Sequence, residues 1–146
     1  MKLHKDLHEF VELLNSAGVR YVVVGGHAVA FHGYPRYTGD IHFLIESSED
    51  NAARVEKVLR DFGFGQTGFQ TKDFLEPESI VQLGLPPNRI DLLTSISGVT
   101  FSEAWANRVP GLLDGVPVSF LGREDLLRNK RASGRPKDIA DLSNLE

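Results

Sequence analysis

The stretch 21–45, YVVVGGHAVAFHGYPRYTGDIHFLI, decides the fold of this 146-residue chain. Val22, Val23 and Val24 form a short β-branched run that stops at Gly25-Gly26, as a strand entering a tight turn does. Glycines at such a corner let the backbone approach a ligand closely. A helix starting there, from 26 to about 32, turns its free N–H groups back toward the corner. That arrangement suits a phosphate. Pro35 and Gly39 punctuate the loop 34–39, and a second strand is expected over 40–45. On it Asp40 and His42 stand two apart and leave one face, while Ile41 and Phe43 leave the other. A phosphate-sized cradle beside two potential metal ligands is the central expectation.

On the N-terminal side, Leu3, Leu7, Phe10 and Leu14 recur at helical spacing and predict an amphipathic helix ending near Gly18. Beyond the second strand, Ser47 or Ser48 can cap a long helix whose buried stripe is Ala52, Val55, Leu59 and Phe62. The run 63–68 is a literal GxGxxG. It follows a helix, where the dinucleotide fingerprint must follow a strand, so it reads as a helix stop and turn. Two further strands are expected over 80–83 and 89–93, joined through Gly84 and Pro86-Pro87. Asp91 lies between Ile90 and Leu92 in the second. A carboxylate inside an apolar strand costs several kcal/mol unless paired or metal-bound; otherwise it must sit at the strand end, facing solvent. A short helix over 101–107 carries Trp105, and 112–118 reads as a hairpin turning at Asp114-Gly115. Two helices, 122–132 and 136–145, close the chain.

Apolar residues make up 41% of the chain and charged ones 25%, which suits one globular domain over 1–146. No apolar run approaches the roughly 20 residues a membrane span needs. The start, MKLHKDLHEF, is too charged for the apolar core of a signal peptide, so a cytoplasmic location is expected. With no cysteine, disulfides and thiolate metal sites are excluded. The net charge of -4 argues against a protein that coats nucleic acid. The charge is uneven, however. Arg123, Arg128, Lys130, Arg131, Arg135 and Lys137 face only Glu124 and Asp125 over 123–137, a local excess of +4. That segment is either a solvated helix face or a positive wall facing a polyphosphate. His4 and His8 are one helical turn apart but lack a third ligand, and read as surface histidines. His27 and His32, five apart, have no obvious ligand spacing, and His32 is expected to pack at the end of its helix.

In order, Gly25, Gly26, Ala28, His32, Gly33, Arg36, Thr38 and Asp40 precede Asp91 on a separate apolar strand. The terminal run Lys130-Arg131-Ala132-Ser133-Gly134-Arg135-Pro136-Lys137-Asp138 follows. This pattern resembles the nucleotidyltransferase superfamily that includes DNA polymerase beta. It is most similar to the minimal nucleotidyltransferases and the abortive-infection nucleotidyltransferase toxins. The resemblance covers almost the whole chain. It implies an α/β (α+β) nucleotidyltransferase fold, a mixed β-sheet flanked by helices, with two helices at the C-terminus. It also implies transfer of a nucleoside monophosphate from NTP to an acceptor hydroxyl. Divalent ions would bridge the attacking oxygen and the triphosphate, and pyrophosphate would leave in line. On that resemblance Asp40 and Asp91 are the catalytic carboxylates, and Asp40, His42 and Asp91 hold Mg²⁺. Gly25 and Gly26 seat the phosphates of the NTP, with Arg36, Thr38 and Lys130 as further nucleotide-binding residues.

One position departs from the pattern, which calls for Asp or Glu where this chain has His42. An imidazole removes a negative charge and offers nitrogen to an ion that prefers oxygen. Three explanations stand open. The site is retuned toward Mn²⁺ or another transition ion, or His42 is an introduced substitution, or the protein is a pseudoenzyme serving as a nucleotide-binding, RNA-binding or partner module. A toxin-like enzyme acting on tRNA or on a protein is also permitted by the basic segment. The acceptor (small molecule, tRNA or protein) stays open. Longer relatives carry an extra helical domain to present it, so a partner protein or a second copy is the expected platform; no membrane is expected.

Overall fold

A computed structural model describes residues 5–34, 39–62, 70–84 and 89–145. Helix α1 (Lys5–Ser16) buries Leu7, Phe10, Val11 and Leu14, the stripe its spacing predicts; Leu3 lies outside the described residues. Strand β1 (Tyr21–Val24) is buried along its whole length and runs into α2 (Gly26–Phe31). Strand β2 (Ile41–Ile45) leads to α3 (Glu49–Asp61), where the Ser48 hydroxyl accepts the Asn51 amide as N-cap. The GxGxxG run lies outside the described residues, apart from the helix that leads into it. A 3₁₀ turn (Thr71–Phe74) precedes the antiparallel strands β3 (Ile80–Leu83) and β4 (Ile90–Leu93). Helix α4 (Phe101–Ala106) starts with a capping box between Thr100 and Glu103. Strands β5 (Val109–Leu113) and β6 (Val116–Phe120) form a hairpin. Its turn residues Asp114 and Gly115 both have positive φ, 50° and 80°, as a two-residue hairpin turn requires. Helices α5 (Arg123–Ser133) and α6 (Pro136–Leu145) are separated by Gly134, whose φ of 64° ends the first, and Pro136 opens the second.

Among the described residues the strands form one six-stranded sheet in the order β3-β4-β2-β1-β6-β5. It is mixed: β2 pairs parallel with β4 and β1 parallel with β6, while the other neighbours are antiparallel. The expected mixed sheet flanked by helices is thus the observed architecture. On one face Phe43 meets Phe10 of α1 at 6.1 Å and Tyr21 edge-on at 5.4 Å. Phe10 in turn meets Phe62 at the end of α3. No described helix is long and apolar enough to cross a membrane.

One buried amide holds the N-terminal half together. Asn51, fully inaccessible, accepts from the Arg20 amide at 2.7 Å and donates to the carbonyls of Arg20 (3.0 Å) and Glu46 (2.9 Å). A single side chain therefore ties the start of β1, the end of β2 and the first turn of α3. Replacing it removes the side-chain partner of the Arg20 amide and the Glu46 carbonyl, while the Arg20 carbonyl keeps the Glu46 amide at 3.2 Å. Asn51→Ala is expected to lower stability by about 3 kcal/mol, read from urea denaturation midpoints.

Candidate functional site

The strand registers bring the sequence-predicted residues together. Val24 faces His42 across β1 and β2, His42 faces Asp91 across β2 and β4, and Asp91 faces Gln82 across β4 and β3. Register partners share a sheet face, so these side chains form one row. The amide of Ile41 donates to the carbonyl of Arg89 at 3.1 Å, which sets Arg89 beside Asp40 at the head of the parallel pair. Above the row lies a cleft of about 720 Å³, large enough for a nucleotide. Val24, Gly25, His42, Arg89 and Asp91 line it from the sheet, Glu78 and Ser95 from one rim, and Asn129, Lys130, Ser133 and Arg135 from the other.

Gly25 sits at the corner with φ of 72°, and a Cβ there would lie 3.1 Å from His42 Nδ1. Both the backbone and the neighbouring imidazole therefore demand glycine. His42 Nε2 lies 3.1 Å from Asp91 Oδ2, which orients the ring with Nδ1 toward the glycine corner. Burial lowers the His42 pKa, against the opposing pull of Asp91 and Asp40, which favours the uncharged ring.

Arg89 is the residue that the sequence reading left without a role. Its Nε donates to Asp91 Oδ1 at 2.8 Å and its Nη2 to Asp91 Oδ2 at 3.1 Å, and the same Nη2 lies 3.2 Å from Asp40 Oδ2. Asp91 itself is only 4% exposed, so the reading of a strand-end carboxylate facing solvent is wrong. Both of its oxygens are engaged. Asp40 Oδ1 is buried and has no hydrogen-bond partner among the described residues. The Arg-x-Asp alternation at 89 and 91 was the available signal, because residues two apart on a strand share a face.

The donor set can be tested against a divalent ion. Asp40, His42 and Asp91 do converge, but a guanidinium bridges the two carboxylates and the imidazole caps one of them. No group of three or more His, Asp or Glu side chains among the described residues has the geometry of a metal site. One orphaned oxygen on Asp40 does not offset this. In this arrangement the residues do not fit a two-ion centre.

Of the basic residues in the C-terminal segment only Lys130 is buried, while Arg123, Arg128, Arg131, Arg135 and Lys137 are exposed. Lys130, 4% exposed, places Nζ 3.0 Å from Asp138 Oδ1 and 3.2 Å from Asp141 Oδ2, which locks α5 onto α6. Arg128 pairs with Asp125 and Glu103, and Arg135 donates to Asp138 at 2.8 Å. Lys130 thus borders the cleft with its charge already matched. Lys137 is also exposed, and its charge acts on His42. Arg36 and Thr38 lie outside the described residues, as does His4. His32 caps α2 and hydrogen-bonds the Leu121 carbonyl through Nε2 at 2.7 Å, and so packs at its helix end as expected. His8 links α1 to the hairpin turn through Asp114 at 3.2 Å. His27 is buried, both ring nitrogens lack partners among the described residues, and burial together with the nearby His42 lowers its pKa to about 4. A larger concavity of about 920 Å³, between α1, β6 and Trp105, shares no lining residue with the cleft and contains none of the expected site residues.

Burial alone would raise the Asp138 pKa. Hydrogen bonds from Ser133, Arg135 and Lys130, with the Lys130 charge, outweigh it and hold the carboxyl far below its usual range. A depressed folded-state pKa contributes stability above the unfolded value near 4, and that stability is lost as pH falls below it. Stability is therefore expected to drop progressively as pH falls below about 4. Asp138→Asn should flatten that drop and cost about 3 kcal/mol at pH 7, read from denaturation midpoints across pH.

Residues 2–146 match the model of a family described as nucleotidyltransferase of unknown function (DUF6036). Among solved structures the fold is similar to a candidate nucleotidyltransferase from Thermotoga maritima, with 18% identity and a TM-score of 0.62 over 94% of this chain and 88% of that one. It is similar to the lincosamide antibiotic adenylyltransferase LnuA, solved with lincomycin bound, with 16% identity and a TM-score of 0.55 over 99% and 98%. An antigenic nucleotidyltransferase-like protein from Paracoccidioides brasiliensis matches with 16% identity and a TM-score of 0.56 over 99% and 76%. At these identities the likeness is one of fold. No curated protein sequence matches the chain.

Proposed function

The chain belongs to the family of nucleotidyltransferases of unknown function, and on that premise we propose that its cleft binds a nucleoside triphosphate with the phosphates over the Gly25-Gly26 corner. The observation that carries this reading is the cleft itself. It is nucleotide-sized, floored by a glycine whose missing Cβ leaves room against His42, and bordered by Arg89 and Arg135, with the exposed Lys137 near His42. The reaction proper to the family is transfer of a nucleoside monophosphate to an acceptor hydroxyl. In it Gly25 and Gly26 would seat the phosphates, while Lys137 would meet their charge. Mg²⁺ or Mn²⁺ supplies the Lewis acid in such reactions, and the donors present, with Arg89 between the two carboxylates, do not fit either ion.

A second reading is favoured by a specific observation. With Asp91 engaged by Arg89 and His42, and an imidazole in place of a carboxylate, the cleft is suited to binding without turnover. The protein would then act as a nucleotide-sensing or partner module. A toxin-like action on tRNA draws less support, because Arg128, Lys130 and Arg135 are matched by carboxylates of the chain itself.

Titration with a fluorescent ATP analogue tests binding. A saturable signal is expected, and Lys137→Glu should weaken it about tenfold. Absence of binding with Mg²⁺, with Mn²⁺ and with chelator would remove the proposal. Transfer of label from α-³²P-NTP separates the two readings: turnover by the natural protein favours catalysis. If only His42→Asp is active, the natural site is silenced at that residue.

A further inference from the structure

We propose that Arg89 is the resident cation of this cleft, occupying the space between Asp40 and Asp91 that a divalent ion would otherwise take. The inference deepens the nucleotide-binding reading and rests on it only for the nucleotide; the exclusion of metal stands on the side chains alone.

The geometry is specific. Asp91 receives the guanidinium side-on, with Nε on Oδ1 at 2.8 Å and Nη2 on Oδ2 at 3.1 Å. The fork geometry of arginine matches a carboxylate in this bidentate way, and an ammonium does not reproduce it. The same Nη2 reaches Asp40 Oδ2 at 3.2 Å, so one cation spans both carboxylates. His42 Nε2 at 3.1 Å takes a further position on Asp91 Oδ2. With Arg89 counted, the two carboxylates and the guanidinium carry a net charge of about -1. Hydrated Mg²⁺ is drawn from water by several carboxylates acting together, and here their charge is half cancelled before any ion arrives. Arginine stays protonated at any working pH, so the bridge does not open by titration of the guanidinium. Arg89 is also anchored by its own backbone, whose carbonyl accepts from Ile41 in the adjoining strand. Its side chain remains 26% exposed toward the cleft, from where a triphosphate oxygen could reach it.

Two consequences follow for this chain. Divalent ions alone should bind weakly, and a nucleotide should bind nearly as well with chelator as with metal, because Arg89 already supplies the positive charge beneath the phosphates.

The experiment measures Mn²⁺ alone by electron paramagnetic resonance on the natural protein, Arg89→Gln and Arg89→Lys, each checked for folding by its thermal transition. The natural protein and Arg89→Lys are expected to bind Mn²⁺ only weakly, and Arg89→Gln at least about tenfold more tightly, since it keeps a hydrogen-bonding side chain and loses the charge. Tight Mn²⁺ binding by the natural protein, or equal binding by a folded Arg89→Gln, would overturn the inference. Should Arg89→Gln not fold, the natural protein still decides through the fluorescent ATP analogue titrated with EDTA and with Mn²⁺. Affinities within about threefold support the inference, and a rise of tenfold or more with Mn²⁺ refutes it. If the analogue fails to bind under any condition, the nucleotide reading falls, while the Mn²⁺ measurements still judge the role of Arg89.

Discussion

A carboxylate enclosed in the middle of a sheet must be given a positive partner, and in this protein Asp91 receives Arg89. Leaving that charge unpaired would cost several kcal/mol, and a hydrogen-bonded guanidinium removes most of the penalty. Once Arg89 is there, the rest of the cleft is constrained. A divalent ion about 4 Å from a guanidinium is repelled by about 8 kcal/mol at an effective dielectric of about 20. Metal and arginine therefore compete for one position. Arg89 also bridges to Asp40 and His42 caps Asp91, while one buried Asp40 oxygen has no hydrogen-bond partner among the described residues.

The same principle governs the other side of the cleft. Lys130 is buried between Asp138 and Asp141, so the ends of α5 and α6 are fastened by a charge pair rather than by apolar packing alone. Breaking such a pair costs more than the pair contributes over an apolar replacement. Between these two fixed networks lies the glycine corner, held open because Gly25 can adopt a positive φ and has no Cβ to meet His42. The cleft thus has Arg89 bridging the carboxylates on its floor, and the exposed Lys137 acts on His42. Charge at Lys137 can meet a phosphate without first breaking either network.

Much of this was legible in the sequence, and the residues show why. Strands and helices followed from periodicity and punctuation: Val22 to Val24 before the double glycine, Ser47 or Ser48 before α3 (the cap is Ser48), Asp114-Gly115 in the hairpin, Gly134 before Pro136. The placement of Asp40 and His42 on one face followed from the two-residue repeat of a strand. What one strand or one helix cannot reveal is its partner. Arg89 was read as the first residue of a strand, and only the parallel register of β4 on β2 sets it beside Asp40. Lys130 was read as facing a ligand because its counter-charges sit on the following helix, beyond a turn that reverses the chain. The basic count over 123–137 likewise stopped one residue short of Asp138, which engages two of those charges. Local composition gave the number of charges and missed their pairing.

The central claim is that a guanidinium, and not an ion, joins Asp40 to Asp91. Crystals of the natural protein soaked with MnCl₂ and a non-hydrolysable NTP, with anomalous maps at the manganese edge, test it most directly. Nucleotide density over Gly25-Gly26, Arg89 in contact with both carboxylates, and no anomalous peak between them are the expected result. A manganese peak coordinated by Asp40 and Asp91, with Arg89 swung away, would contradict it.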